Sequence, residues 1–273
     1  MTRILLPKLF VTAWFVACFS APAAENAEAS APDTGFLWQI GVRDNDNSEF
    51  ALSPADYSRY ERDGFFVVGQ SETKHDWPYF QPGPADLAFG SRPHTFTIVF
   101  GLSPNSLAGE CRLQVDLINT HYEQPPELEI AINDSRFRQQ MPLGGDDSAY
   151  YGEPAKGQEH CFSVPFDAGL LKPGRNQISI TTLSGSMILY DWLGLEAPAG
   201  AVLEAVAGSF LSDCEATPHL LVEEQDVLFR PVSAKIRHFG PPAELCLSVA
   251  GREIGRQTID ADTTDAEFLV PAS

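Results

Sequence analysis

The chain reads as all-β, a large two-sheet sandwich followed by a shorter β-unit, and three observations predict this. Apolar residues recur with period two in segment after segment, no amphipathic helix of about ten or more residues stands out, and 21 glycines with 21 prolines punctuate the intervals. A strand sends successive side chains to opposite faces, so this alternation is what a sheet with one buried face requires.

The elements follow in order. "HTFTIVF" places Phe96, Ile98 and Phe100 on one face, and "CRLQVDLI" does the same with Leu113, Val115 and Leu117. "PELEIAIND" supplies Leu128, Ile130 and Ile132, and "NQISITTL" adds Ile178 and Ile180. "SMILYDWLGLE", residues 186–196, sets Asp191 among Leu189, Leu193 and Leu195, while Ile188, Tyr190 and Trp192 occupy the other face. Neither register exposes the carboxylate cleanly, and an unpaired buried carboxylate is costly. Two devices would satisfy it. One is backbone N–H donation from a neighbouring loop; the other is a structural Ca²⁺ shared with Asp44, Asp46 and Glu49 of "RDNDNSE", hard oxygen ligands of the kind that ion takes. The spacing is not that of an EF-hand loop, because Ser48 and Glu49 fall where that pattern needs other residues. No cofactor is otherwise required.

A Pro/Gly/Ala stretch at 196–205 marks a boundary, giving a first domain over residues 34–197 and a second over 201–273. In the second, "VSAKIRHFGPPAELCLSVAGREIG" is a strand, a Gly-Pro-Pro turn, a strand and a Gly-Arg turn into another strand. That order fits the first strands of an immunoglobulin-like domain, which normally takes about 100 residues, so a partial immunoglobulin-like sandwich is expected.

Residues 1–24 read as a signal peptide: Arg3 and Lys8, an apolar run from Leu9 to Phe19, then Ala21-Pro22-Ala23 as a cleavage site. The run falls short of the roughly 20 apolar residues of a membrane span, so the mature chain is expected to be secreted or periplasmic, with no transmembrane span and residues 25–33 as a linker. Cys18 sits in a poor lipoprotein box because Phe15 is bulkier than the usual leucine. Beyond the leader lie Cys111, Cys161, Cys214 and Cys246. Export makes disulfides plausible; of the three pairings, shared domains favour 111–161 and 214–246. No cysteine or histidine spacing suits zinc, which argues against a thiolate metal site.

The chain carries 37 acidic and 18 basic residues, a formal charge of −19, which excludes nucleic acid and anionic membranes as partners. Catalytic constellations are missing. His75, His121 and His160 are not paired with Lys or Arg as a lyase would need, no G-x-S-x-G occurs, and abundant carboxylates are no evidence for a hydrolase.

The segments "LWQIGVRDNDNSEF", "HDWPYFQPGPAD", "HTFTIVFGL", "VPFDAGLLKPGRNQISI" and "ILYDWLGLE" together resemble the third domain of rhamnogalacturonan lyases of polysaccharide lyase family 4, across residues 35–197. The resemblance implies a galactose-binding-like jelly roll, a carbohydrate-binding accessory role beside a catalytic module, and a pectic or other plant polysaccharide as partner. It implies no catalysis, since in those lyases the reaction belongs to another domain; the alternative expectation is a structural N-terminal fragment of a larger glycosidase or lyase with no glycan binding of its own. "LFRPVSAKIRHFGPPAELCLSVAG" resembles the linker sandwich that precedes an α-mannosidase-like catalytic region of glycoside hydrolase family 38. Candidate sugar contacts are aromatic and acidic loop residues, because a sugar offers apolar C–H faces and hydroxyl edges. They are Trp77 and Tyr79 in "HDWPYFQPGPAD", Tyr122 in "NTHYEQPPE", and Asp146, Asp147, Tyr150 and Tyr151 in "GGDDSAYYGEP". The competing expectation for the first loop is that its rings plug the end of the sandwich.

Overall fold

The computed structural model describes residues 35–104, 107–216, 221–260 and 265–272. The leader, the linker and Cys18 lie outside the described residues. Two compact units appear, one ending at Val206 and one starting at Ala207.

The first unit is a sandwich of two antiparallel sheets. Its strands are β1 (Phe36–Gly41), β2 (Phe65–Val67), β3 (Phe80–Gln81), β4 (Thr95–Leu102), β5 (Glu110–Thr120), β6 (Glu127–Ile132), β7 (Ser135–Gln140), β8 (His160–Asp167), β9 (Gly174–Ser184), β10 (Ile188–Glu196) and β11 (Leu203–Glu204). One sheet runs β1-β10-β5-β8 with β3 added on β10; the other runs β11-β4-β9-β6-β7, with β2 parallel to β4. This is the galactose-binding-like jelly roll. The period-two faces all turn inward: Phe96, Ile98 and Phe100, Leu113, Val115 and Leu117, Leu128, Ile130 and Ile132, and Ile178 and Ile180 are buried in one core. Each such side chain contributes roughly 1.5–3 kcal/mol through burial, which is what holds the sheets face to face.

Strand β10 departs from strict alternation. Its register against β5 runs Leu189↔Asn119, Tyr190↔Leu117, Trp192↔Asp116, so two irregularities bracket Tyr190, the first leaving Ile118 extra on β5 and the second leaving Asp191 extra on β10. A bulge of this kind re-aims the side chains beside it. Tyr190 therefore enters the core, its ring 5.4 Å from that of Trp77 and 5.9 Å from that of Phe96, and its hydroxyl donates to Gln81 Oε1 at 2.5 Å. Gln81 Nε2 in turn donates to the carbonyls of His94 and Ile180, so this buried amide is bonded on both sides. Asp191 and Trp192 turn to the outer face, and Leu193 and Leu195 return to the core.

Two expectations are corrected here. Trp77 and Tyr79 are fully buried and cannot meet a ligand: Trp77 stands edge-on to Phe96 at 5.1 Å, and the Tyr79 hydroxyl donates to the Tyr150 carbonyl at 2.8 Å. Burying these two rings under the loop removes more apolar surface from water than presenting them would. The disulfides are absent among the described cysteines. Across β5 and β8, Cys111 faces Phe166 and Cys161 faces Asp116, so the two cysteines sit five residue pairs apart along the ladder. At about 3.4 Å per residue that is far beyond the roughly 7 Å Cα limit for a disulfide. Cys214 on the strand facing Ala234 and Cys246 on the strand facing Arg256 belong to different sheets and are not bridged either.

The second unit contains β12 (Gly208–Ala216), β13 (Val222–Glu224), β14 (Val227–Phe239), β15 (Ala243–Val249), β16 (Arg252–Ile259) and β17 (Asp265–Pro271). The long strand β14 pairs with β12, β13 and β17, while β15 and β16 form a separate hairpin. Ala250 and Gly251, both at positive φ, make the two-residue turn that a right-twisted hairpin favours. Val232, Ala234 and Ile236 from β14 pack with Leu245, Leu247, Ile259, Ala266 and Phe268, giving a partial immunoglobulin-like sandwich with its own core.

Trp77→Ala should cost the first unit about 3–5 kcal/mol in chemical denaturation, and Trp77→Phe markedly less, because the phenyl ring keeps part of the packing and removes an indole N–H that has no partner. A midpoint for the alanine variant equal to that of the parent would contradict the burial described above.

Candidate functional site

Two surfaces of the first unit gather chemistry-bearing side chains. The first lies where the segment after β5 meets the loop between β7 and β8. Tyr122 is 45% exposed, and its ring stacks on His121 with centroids 4.9 Å apart and planes 21° apart. The Asp147 carboxylate lies 3.9 Å from His121 Nε2, and its Oδ1 is buried without a hydrogen-bond partner. Burial pushes the Asp147 pKa up, with His121 opposing and Asp146, Glu123 and Asp86 adding to the rise. Asp146 is spent locally, accepting from the backbone N–H of Ser148 at 2.7 Å as the N-cap of a short 3₁₀ turn.

Glycine makes the close approach of this loop feasible. A Cβ on Gly157 would overlap the Ile118 carbonyl, and one on Gly145 would lie 2.8 Å from the Gln158 amide. Asn119 Oδ1 ties the loop down by accepting from the backbone N–H groups of Gly145 and Gln158. On the same loop Tyr151 is 59% exposed and stands edge-on to Tyr57 at 5.6 Å, whereas Tyr150 is buried. Tyr122 and Tyr151 thus remain exposed candidates with the partly exposed Asp147 beside them, Asp146 is held in its cap, and Tyr150 becomes their support.

The second surface is the outer face of the β1-β10-β5-β8 sheet. Asp191 Oδ1 accepts the Asp46 N–H at 3.1 Å, which is the loop-donation arrangement expected for it. Its Oδ2 is buried without a partner, and burial together with the nearby Asp116 charge pushes the Asp191 pKa up to about 7. Asp44 Oδ1 accepts from the Asp46 N–H, Asp46 Oδ1 from the Ser48 N–H at 2.6 Å, and Glu49 Oε1 from the Val42 N–H at 2.6 Å. These carboxylates shape their own turn, and the four residues expected to share Ca²⁺ do not converge on one point among the described residues. Gly41, at φ +84°, opens that turn; a Cβ there would meet the Asp191 carbonyl at 2.5 Å.

Beside this turn, Arg43 bridges. Its Nε donates to Asp116 Oδ2 at 2.8 Å, its Nη2 to Cys161 Sγ at 3.3 Å, and its guanidinium lies 5.8 Å from the Trp192 ring centroid. Trp192 Nε1 donates to Gln39 Oε1 at 3.1 Å, and Phe36 meets the indole edge-on at 4.9 Å. Phe36, Gln39, Gly41, Val42, Arg43 and Trp192 line an open pocket of about 400 Å³. Sequence reasoning passes over Arg43, Asp116, Gln39, Glu159 and Trp192 as functional residues. Asp116 reads as the solvent side of an alternating strand, and only the strand registers bring these groups together.

Comparison with known proteins follows this geometry. The family model described as "CBM-like: Polysaccharide lyase family 4, domain III" matches residues 36–195. A rhamnogalacturonate lyase of Dickeya dadantii (strain 3937) is 28% identical over 169 residues, 58% of this chain and 27% of that protein, so the chain spans about a quarter of its relative's length. Among solved structures, a family 35 carbohydrate-binding module from an environmental isolate aligns at 15% identity and a TM-score of 0.31, covering 65% of this chain and 96% of that one. Another family 35 module, from Cellvibrio japonicus, aligns at 15% identity and a TM-score of 0.26, covering 42% and 70%. Among the described residues no helix is long and apolar enough to cross a membrane.

The Asp191 carboxylate gives a pH test. Its folded pKa lies above the ordinary 3.8, so the folded state holds the proton more tightly and the group's contribution to stability falls as pH rises from about 4 to about 7. Asp191→Asn keeps the Oδ1 acceptor and cannot ionise. In chelator-containing buffer its melting temperature relative to the parent should climb across that window and level off above it, and Asp191→Ala should melt below Asp191→Asn throughout. A difference between Asp191→Asn and parent that does not change with pH would refute the shift.

Proposed function

The chain belongs, through residues 36–195, to the CBM-like domain III family of polysaccharide lyase family 4, and from that membership we propose a secreted, non-catalytic accessory protein that binds a pectic or other plant polysaccharide such as rhamnogalacturonan. The relative in which this domain accompanies a larger chain is a rhamnogalacturonate lyase, which supports a role beside a catalytic module. The observation that carries the reading is the half-exposed Tyr122 ring, already stacked on His121, with the partly exposed Asp147 carboxylate beside that histidine. A sugar laid on that ring would bury its apolar C–H face, and one hydroxyl could donate to the exposed part of the Asp147 carboxylate beside it. Because His121 already holds the tyrosine ring, little rotamer freedom is lost on binding. Tyr151 beside Tyr57 extends the aromatic surface along the same loop.

Affinity electrophoresis through gels cast with pectic and other plant polysaccharides tests this. The mature protein should be retarded by at least one of them, and Tyr122→Ala should weaken that retardation about tenfold, equivalent to about 1.4 kcal/mol. Asp147→Asn should weaken it less, since the amide oxygen can still accept. No retardation in any gel, or undiminished retardation of Tyr122→Ala, would remove the proposed site.

A further inference from the structure

The outer sheet face holds a second constellation that glycan binding does not use. Asp116 on β5 and Cys161 on β8 are directly opposed in the ladder, and Glu159 precedes Cys161 by two residues. One ligand atom from each of Asp116, Glu159 and Cys161 lies within 4.8 Å of the other two, and Cys161 Sγ is 3.7 Å from Glu159 Oε1. In a tetrahedral zinc site with bonds of about 2.0–2.3 Å, neighbouring ligand atoms stand roughly 3.4–3.8 Å apart, so these three side chains need only small rotations to close on one ion.

A cluster of acids and a thiol would mean little by itself, since exposed acidic groups are common. The decisive feature is Asp116. Its side chain is only 2% exposed, its Oδ2 is taken by Arg43, and its Oδ1 is buried with no hydrogen-bond partner. A buried carboxylate oxygen left unpaired is costly, and a cation bound at this carboxylate beside Glu159 and Cys161 would offset its charge. Those two residues are exposed, so the ion has an entry path. Asn45 Nδ2 lies 3.4 Å from Glu159 Oε2 and orients it as an outer partner.

We infer that Asp116, Glu159 and Cys161 form a binding site for a borderline-soft divalent cation of the Zn²⁺ type, with Arg43 as its gate. The donor set decides the class: one thiolate and two carboxylates suit Zn²⁺, whereas Ca²⁺ takes six to eight oxygens and gains nothing from sulfur. Arg43 competes with the ion, because its guanidinium donates to both Asp116 Oδ2 and Cys161 Sγ. Its side chain is 56% exposed and has the Trp192 ring to rest on, so it can release both partners. On binding, the Zn–S bond replaces the S–H bond and the thiol proton passes to solvent, one proton per ion. The three ligands are separated by 43 and 2 residues and follow no zinc-finger spacing; the β5–β8 register alone assembles them.

The test is titration of the mature protein with Zn²⁺ alone, with no glycan present, so its outcome is independent of the Tyr122 surface. One equivalent should bind with release of one proton, Co²⁺ in its place should show a thiolate charge-transfer band, and bound Zn²⁺ should protect Cys161 from alkylation. Cys161→Ser, a substitution at an exposed position that leaves the core intact, should lower affinity at least about 100-fold, since loss of even an outer partner typically costs 10–100-fold. Glu159→Gln should weaken binding, and Arg43→Gln should tighten it. Absence of stoichiometric Zn²⁺ binding, a Co²⁺ complex lacking the thiolate band, or affinity unchanged in Cys161→Ser would overturn the proposal.

Discussion

The bulge at Asp191 is the constraint on which the first unit turns. Strand β10 is paired on both sides, by β1 and by β5, and also carries β3, so its side chains must serve the core and the outer face over its whole length. With strict alternation Asp191 would share the side of Leu189, Leu193 and Leu195. The two irregularities, one leaving Ile118 extra on β5 and one leaving Asp191 extra on β10, break the sequence of faces twice: Leu189 and Tyr190 both face the core, where Tyr190 meets Trp77, Asp191 and Trp192 both lie outside, and Leu193 resumes the inward face. Gly194 completes the arrangement, because a Cβ there would overlap the Trp192 ring. This paired irregularity thereby connects the aromatic core to the polar outer face.

That outer face concentrates buried charge. Asp116 and Asp191 are each about 1% exposed, each has one oxygen without a partner, and Arg43 pairs with Asp116. A single guanidinium can satisfy Asp116 Oδ2 but not the remaining oxygens, and burial, with the Asp116 charge adding to it, keeps the Asp191 carboxyl above the ordinary carboxylate range. By contrast, the buried polar groups behind β4 are closed: His94 bonds Asp63 and the Phe89 carbonyl, and Asp63 also accepts from Tyr60 and from the Thr95 N–H. The second network has the composition of a catalytic cluster but its histidine is 1% exposed and fully bonded, which makes it a clamp between the 57–63 segment and β4. Unpaired buried oxygens mark the first face as the one with chemistry left to do.

Much of the fold was legible because burial writes itself into period two. The faces of β4, β5, β6 and β9 were readable from Phe96, Leu113, Leu128 and Ile178 and their alternate neighbours, as was the partial second sandwich from its turns. What escaped has a common cause, which is that it depends on which residues end up opposite one another. The Asp191 bulge needs the β5 register to be seen, and the Asp116–Cys161 pair needs the β8 register. The disulfide expectation failed for the same reason: shared domain membership says nothing about five residue pairs of offset along a ladder. Trp77 and Tyr79 looked like a ligand surface because rings in a loop are ambiguous; only the cavity left at the sandwich end decides that they fill it.

Charge limits what the Tyr122 surface can accept. At physiological ionic strength the repulsion between a chain of net charge −19 and a polyanionic glycan acts only within about 8 Å, beyond which it is screened. Close contact must then rest on interactions indifferent to the sugar's charge: ring stacking on Tyr122 and hydroxyl donation to Asp147. Both favour a neutral sugar face presented within the polymer, and both disfavour a uronate carboxylate set against Asp146, Asp147 and Glu123, since like charges at that distance destabilise each other. On the glycan-binding role proposed for this surface, the acidic rim would act as a selector, admitting the uncharged segments of a mixed polysaccharide and turning the charged ones away from the carboxylates.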